Sequence, residues 1–262
     1  MAAPLPPALR ERVSAVHGAA ALPELLRLYD EWAARYEEDV AALQYRAPAL
    51  AASALAAAVR GPPGAARVLD VGCGTGLVAR ELQRHGFSWL DGVDGSAEML
   101  CRARASRLYR ELWRCILGSE PLPVPTVPYP VPCPSPVLVP ACCPRPLSVG
   151  PVPCPIPCPA LDFSRAHCPQ HGHLPWVAPS FLAGGLLCMT TRSNPSNLRY
   201  KAKLEATLER LENQGAWEKV LAQEEERWER ATSEEESIQG TGYISGVVYL
   251  YRKCPVPPLP ES

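Results

Sequence analysis

Val68-Leu69-Asp70-Val71-Gly72-Cys73-Gly74-Thr75-Gly76 decides how the rest of this chain is read. Arg67 to Val71 is a short apolar strand carrying an acid near its end, and glycines at three alternate positions follow. Glycine takes up left-handed backbone conformations without strain and adds no side chain, so such a turn lets a ligand come close to the backbone. Leu77 to His85 has the apolar spacing of a helix, and Gly86 stops it. Trp89-Leu90-Asp91-Gly92-Val93-Asp94 is a second strand, ending on an acid eighteen residues past Gly76. Ser96 is placed to cap a helix running through Arg104 or beyond, and Trp113 to Leu117 is a third strand. Short strands alternating with helices predict a doubly wound, mostly parallel α/β sheet with right-handed crossovers. Asp70 and Asp94 then stand at the carboxyl ends of adjacent strands, beside the crevice where such sheets bind ligands.

Working outward, residues 1–60 read as helices. Pro23 can open one, and Leu25, Leu28, Tyr29, Trp32 and Tyr36 follow at helical spacing. An Ala-rich helix spans about Ala47 to Val59 and is broken by Gly61-Pro62-Pro63-Gly64. Residues 61–120 form the first half of the ligand-binding domain. Residues 121–180 hold nineteen of the 31 prolines and six of the 11 cysteines, but only three charged side chains. Proline lacks a backbone donor and fixes φ, so this stretch reads as an irregular, low-complexity insert. Residues 181–254 form the second half: a strand over 185–191, an amphipathic helix over Leu198 to Leu211, and a final strand over 242–251. Glu224 to Glu236 is charge-rich and reads as a helix with solvated faces. Residues 255–262 read as a disordered tail.

The ligand follows from the spacing and the acids. Dinucleotide sites space their glycines G-x-G-x-x-G, whereas this turn is G-x-G-x-G. An acid at position 70 repels phosphate and suits a ligand that brings an ammonium and a sulfonium. A carboxylate at position 94 can accept from both hydroxyls of a ribose. Together these describe S-adenosylmethionine; a nicotinamide dinucleotide is the competing reading. No G-x-x-x-x-G-K-[ST] run is present, which excludes a P-loop.

These same residues resemble the first motif of class I S-adenosylmethionine-dependent methyltransferases, and Gly92-Val93-Asp94-Gly95-Ser96-Ala97-Glu98-Met99-Leu100 resembles the second. Flanking stretches extend the likeness over roughly residues 10–123 and 183–254. They include Leu28 to Ala33, Tyr45-Arg46-Ala47-Pro48, Gly118 to Pro123, Thr190 to Asn194 and Ile244 to Lys253. The resemblance implies that Asp70, Gly72, Gly74 and Gly76 line the methionine end of the cofactor and that Asp94 holds the ribose. It places Met99 near the adenine and Ser119, with its neighbours Gly118 and Glu120, at the adenine edge. It also makes the N-terminal helices of residues 1–60 a lid, from which Tyr36, Tyr45 or Arg46 would touch the cofactor. The implied activity is methyl transfer to an unidentified small-molecule or protein acceptor.

One departure from the family pattern bears on function. A central fourth strand should follow Pro123, but prolines of this density cannot donate its ladder hydrogen bonds. The expectation is therefore that the strand is replaced, which makes a non-catalytic cofactor-binding remnant or a Pro-rich interaction protein the alternative function. The net charge of −1 argues against a broad nucleic-acid surface. No apolar run reaches the roughly 20 residues that span a bilayer, and residues 1–7 carry no signal-peptide pattern. An odd cysteine count then points to reduced thiols and a cytoplasmic or nuclear location. Cys154, Cys158, His167, Cys168, His171 and His173 lack the repeated spacing of a zinc site, so no metal is expected, while the middle prolines or Arg252-x-x-Pro255-x-x-Pro258 offer an SH3-type ligand.

Overall fold

Asp70 and Asp94 owe their placement to a seven-stranded sheet, seen in a computed structural model that describes residues 4–19, 21–117, 120, 122–123, the backbone of 137–140, 184–238 and 240–255. Four helices come first: α1 (Pro7–Gly18), α2 (Leu22–Trp32), α3 (Tyr36–Ala42) and α4 (Ala47–Ala58). Prolines sit in the first turn of α1, α2 and α4, where a missing N–H costs nothing. Then follow β1 (Arg67–Val71), α5 (Leu77–Arg84), β2 (Trp89–Asp94), α6 (Ala97–Ser106), β3 (Glu111–Arg114) and β4 (Val137–Pro140). The chain continues with β5 (Leu186–Arg192), α7 (Leu198–Asn213), β6 (Trp217–Arg230) and β7 (Tyr243–Lys253). The sheet order is β3-β2-β1-β4-β5-β7-β6, with β7 antiparallel to both its neighbours and the other pairs parallel.

Alternation along each strand divides the core into two layers. Leu69 and Val71 of β1 join Leu187 and Met189 of β5 under Leu204, Leu208 and Leu211 of α7. Val68, Leu186 and Cys188 face the other way, toward Ala51 and Leu55 of α4 and Val78 and Leu82 of α5. Asp70 lies two residues beyond Val68, on the α4–α5 face. The first three helices bury Leu9, Val13, Leu25, Trp32 and Leu43 against one another. Inside that cluster Asp39 accepts two hydrogen bonds from Arg12, at 2.7 and 2.9 Å, and one from Trp32 Nε1 at 2.7 Å.

Three expectations need correction. The segment 121–180 does supply a central strand. β4 runs parallel between β1 and β5, with Val68 to Val71 opposite Val137 to Pro140. Val137-Leu138-Val139 keeps its donors, and Pro140 falls on the last residue of the strand, where a missing N–H does least damage. The charge-rich stretch is not a helix: Trp217 to Arg230 form β6, paired along its length with β7. Two register shifts, at Lys219/Leu221 and Glu225/Glu229, break the alternation that would have marked a strand. The third strand is also shorter and earlier than read, ending at Arg114.

The rest of 121–180 beyond residues 122–123 and 137–140, including the six cysteines and histidines considered for zinc, lies outside the described residues. So do most of 255–262 and the proline at 258. No helix among the described residues is long and apolar enough to cross a membrane.

The second β6 irregularity seats Trp228, fully buried, directly on Gly246 of β7. A Cβ at position 246 would stand 2.2 Å from the indole. Gly246→Ala is therefore expected to lower stability by about 1–3 kcal/mol, read from the denaturation midpoint. An unchanged midpoint would mean that the indole moves aside freely.

Candidate functional site

The turn after β1 is built by the backbone of β2. Gly72 N and Cys73 N both donate to Val93 O, at 2.8 and 3.0 Å, and Gly76 N donates to Cys73 O at 2.9 Å. Gly72, Gly74 and Gly76 all have positive φ, and Gly76 forms the N-cap of α5. A Cβ on Gly74 would enter open space, so its glycine answers to backbone conformation and leaves the turn bare on that side. A Cβ on Gly76 would press on the Tyr109 ring at 3.1 Å.

The two acids are neighbours, as their strand positions require. Asp94 Oδ2 accepts from Gly74 N and Oδ1 from Ser96 N, each at 2.8 Å, so this carboxylate ties the turn to the start of α6. Burial pushes the Asp94 carboxyl above its usual range, against the pull of these backbone donors. Asp70 is 1% exposed. Its Oδ2 accepts from the Tyr109 hydroxyl at 2.6 Å, while Oδ1 is buried with no hydrogen-bond partner among the described residues. Burial raises the Asp70 carboxyl to about 7; the Tyr109 hydrogen bond opposes the rise and the Asp94 charge adds to it. Burial also pushes up the Cys73 thiol, which stays protonated and is no nucleophile.

A cleft of about 400 Å³ opens beside the turn. It is lined by Gly72 to Thr75, by Tyr36 and Tyr45, by Ala47, Pro48 and Ala51 of α4, and by Thr190 of β5. Two of the predicted glycines, Gly72 and Gly74, are thus in its wall, and so are two of the three N-terminal residues. Arg46 turns elsewhere and pairs with Glu225 at 2.6 Å. Met99 lies buried in α6 and does not line the cleft. Ser119 and Gly118 lie outside the described residues.

Three contributors went unread in the sequence. Tyr109, from the segment between α6 and β3, belongs to no motif; only the fold brings it to Asp70. Asp30 of α2 accepts from Ser96 Oγ at 2.5 Å and from Glu98 N at 3.1 Å, which fastens the N-terminal helices to the first turn of α6. Leu26 of α2 packs beside Gly95, where a Cβ would stand 2.9 Å from its methyl.

The pH response follows from Asp70. Unfolded, its carboxyl titrates near the ordinary value of about 4. Between there and about 7 the folded state binds the extra proton. The associated stability is complete below the unfolded value and is lost as pH rises through about 7. Asp70→Asn removes this titration. Its melting temperature is expected to fall less than the wild type's between pH 5 and 8 in thermal scans; parallel curves would contradict the buried charge.

Comparison with known proteins agrees with this geometry. Residues 68–117 match a family described as a methyltransferase domain. Methyltransferase-like protein 27 of Homo sapiens is 46% identical over 216 residues, covering 82% of this chain and 77% of that protein. Among solved structures, a chain of the Haloferax volcanii complex of the Trm112 methyltransferase activator with a methyltransferase gives a TM-score of 0.50 at 15% identity, over 87% of this chain and 98% of that one. That likeness is one of fold. An S-adenosylmethionine-dependent methyltransferase from Mesorhizobium loti is 18% identical over 78% of this chain and 98% of its own, with a TM-score of 0.45. By its sequence likeness over most of its length, the chain belongs to the family of methyltransferase-like protein 27.

Proposed function

We propose that this chain transfers the methyl group of S-adenosylmethionine to a small-molecule or protein acceptor. One observation carries the reading: a buried carboxylate oxygen, Asp70 Oδ1, lacks a donor at the foot of a turn bare of side chains, with a second acid alongside. The residues present fit the cofactor. Asp70 calls for a cation, which the methionine ammonium would supply. Gly74 leaves room for the chain of atoms behind it, Gly72 shares the cleft wall, and Gly76 turns the chain into α5. Asp94, although it holds two backbone amides, keeps lone pairs for the ribose hydroxyls. By the family resemblance, Met99 and Ser119 would lie on the adenine side.

When bound, the cofactor supplies a methyl group on a sulfonium, already a good leaving group. What remains for the protein is to hold, align and dry the site. The N-terminal helices act as the lid: Tyr36 and Tyr45 stand in the cleft wall, and the Asp30 cap on α6 holds the layer down. The ground for a non-catalytic remnant was a missing central strand, and β4 stands in that position.

Calorimetry separates the readings. S-adenosylmethionine is expected to bind with micromolar affinity and NAD not at all. Asp94→Ala should weaken binding about tenfold or more, since charge-assisted hydrogen bonds are lost. Heat with NAD alone would overturn the assignment. Because the ammonium favours ionised Asp70, affinity should fall by up to about tenfold per unit as pH drops below 7. Tyr109→Phe removes the hydroxyl that restrains this carboxyl and should move the fall to higher pH. A pH-independent affinity would take Asp70 out of the cofactor site.

A further inference from the structure

A second cleft, of about 320 Å³, lies near the first. Thr190 lines one and Arg192 the other. Two residues apart on β5, they point to the same face about 6.6 Å apart. Tyr45 and Leu43 repeat this relation on the connection between α3 and α4. The second cleft therefore lies further along the carboxyl edge of the sheet, past the glycine turn.

Its walls set Arg192, Asn194 and Glu229, all buried, among Val13, Leu43 and Ile244. Arg192 forms an ion pair with Glu229 of β6, and its Nη1 donates to His17 Nε2 at 2.9 Å. Burial and the Arg192 charge hold His17 well below its ordinary pKa, so the ring is neutral. Asn194 Nδ2 donates to Ser196 Oγ at 3.1 Å and to Glu236, and Ser196 Oγ donates to Glu236 at 3.0 Å. A carboxylate only accepts, so Glu236 fixes the amide with its NH2 inward and its carbonyl turned away. That carbonyl, Asn194 Oδ1, is buried and has no partner among the described residues, in a side chain only 3% exposed.

A buried acceptor without a donor costs about 1–3 kcal/mol, so its persistence in a cleft wall points to a ligand. The charges around it balance: Arg192 and Arg230 stand against Glu229 and Glu236. Such a wall offers no net attraction to an anion or a cation.

We propose that this cleft holds the methyl acceptor, and that Asn194 Oδ1 selects an uncharged molecule presenting an O–H or N–H group. The proposal rests on the methyl-transfer reading and names its substrate class: a small hydroxylated or amide-bearing compound, not a phosphate, a carboxylate or a nucleic acid. Asn194 is the specificity-determining residue, and the Arg192–Glu229–His17 cluster is the rigid floor behind it.

The test is a chemical-shift titration of the ¹⁵N-labelled full chain, saturated with S-adenosylmethionine, using four probes. Catechol and benzamide are uncharged donors; benzoate and phenyl phosphate are their anionic counterparts. The first pair is expected to shift the Asn194 side-chain amide and the backbone amides of 192–196, the second pair at least tenfold more weakly. Asn194→Ala should weaken catechol and benzamide by about fivefold while leaving cofactor affinity unchanged. Shifts confined to other residues, equal response to the anions, or an unchanged titration in Asn194→Ala would each overturn the proposal. The wild-type titration decides it even where the variant does not fold. Failure of the cofactor itself to bind in calorimetry would instead strike the methyl-transfer reading.

Discussion

A carboxylate taken out of water must be compensated or protonated, and Asp70 is only half compensated. Desolvation of such an ion costs several kcal/mol even after the surroundings relax. Tyr109 answers one oxygen; the other faces no donor among the described residues, and Asp94 stands close with the same charge. The sheet forces this arrangement. Parallel pairing sets Val71 opposite Val93, so the strand ends and their acids come side by side. The glycine turn then lies over them, held by Val93 O. Below about pH 7 a proton neutralises Asp70; a cationic ligand would take that proton's place.

The surrounding structure keeps the acids from relaxing away. Leu112, Tyr109 and Cys73 crowd Gly92, which has no room for a Cβ: Leu112 would lie 2.8 Å from it and Tyr109 3.0 Å. Above, Asp30 supplies the cap that α6 shares with its own Ser96. Arg80 of α5 reaches Glu37 of α3 at 3.1 Å, a partly exposed pair worth little energy but consistent in register. The N-terminal helices are thus joined to the two helices that begin at the site, and through them to the glycine turn.

How much of this could be read in the sequence depended on whether the signal was local. The glycine turn, the Ser96 cap and the Pro23 start are short-range patterns, and each is where the residues implied. The strand over β7 is an unbroken apolar run and was equally plain. β4 was hidden because prolines crowd both sides of a three-residue window that can still donate. β6 was hidden because two irregularities scramble its alternation and its glutamates suggest a helix; pairing with β7 prevails over that preference. Tyr109 has no sequence signature, since its importance lies in the Asp70 oxygen that only the fold brings to it. The Pro/Cys-rich stretch was read for composition alone, and composition says nothing about four residues.

Those misleading glutamates have a use that only the sheet reveals. β6 is the outermost strand, and along most of its length one side faces solvent, with Glu218, Glu224 and Glu226 exposed. An outer strand leaves a row of backbone groups without neighbours, ready to zip onto a second copy. A second copy would lay like charges against like, and the mutual repulsion disfavours the match. Exposed charge of this kind on a rim strand disfavours edge-to-edge pairing.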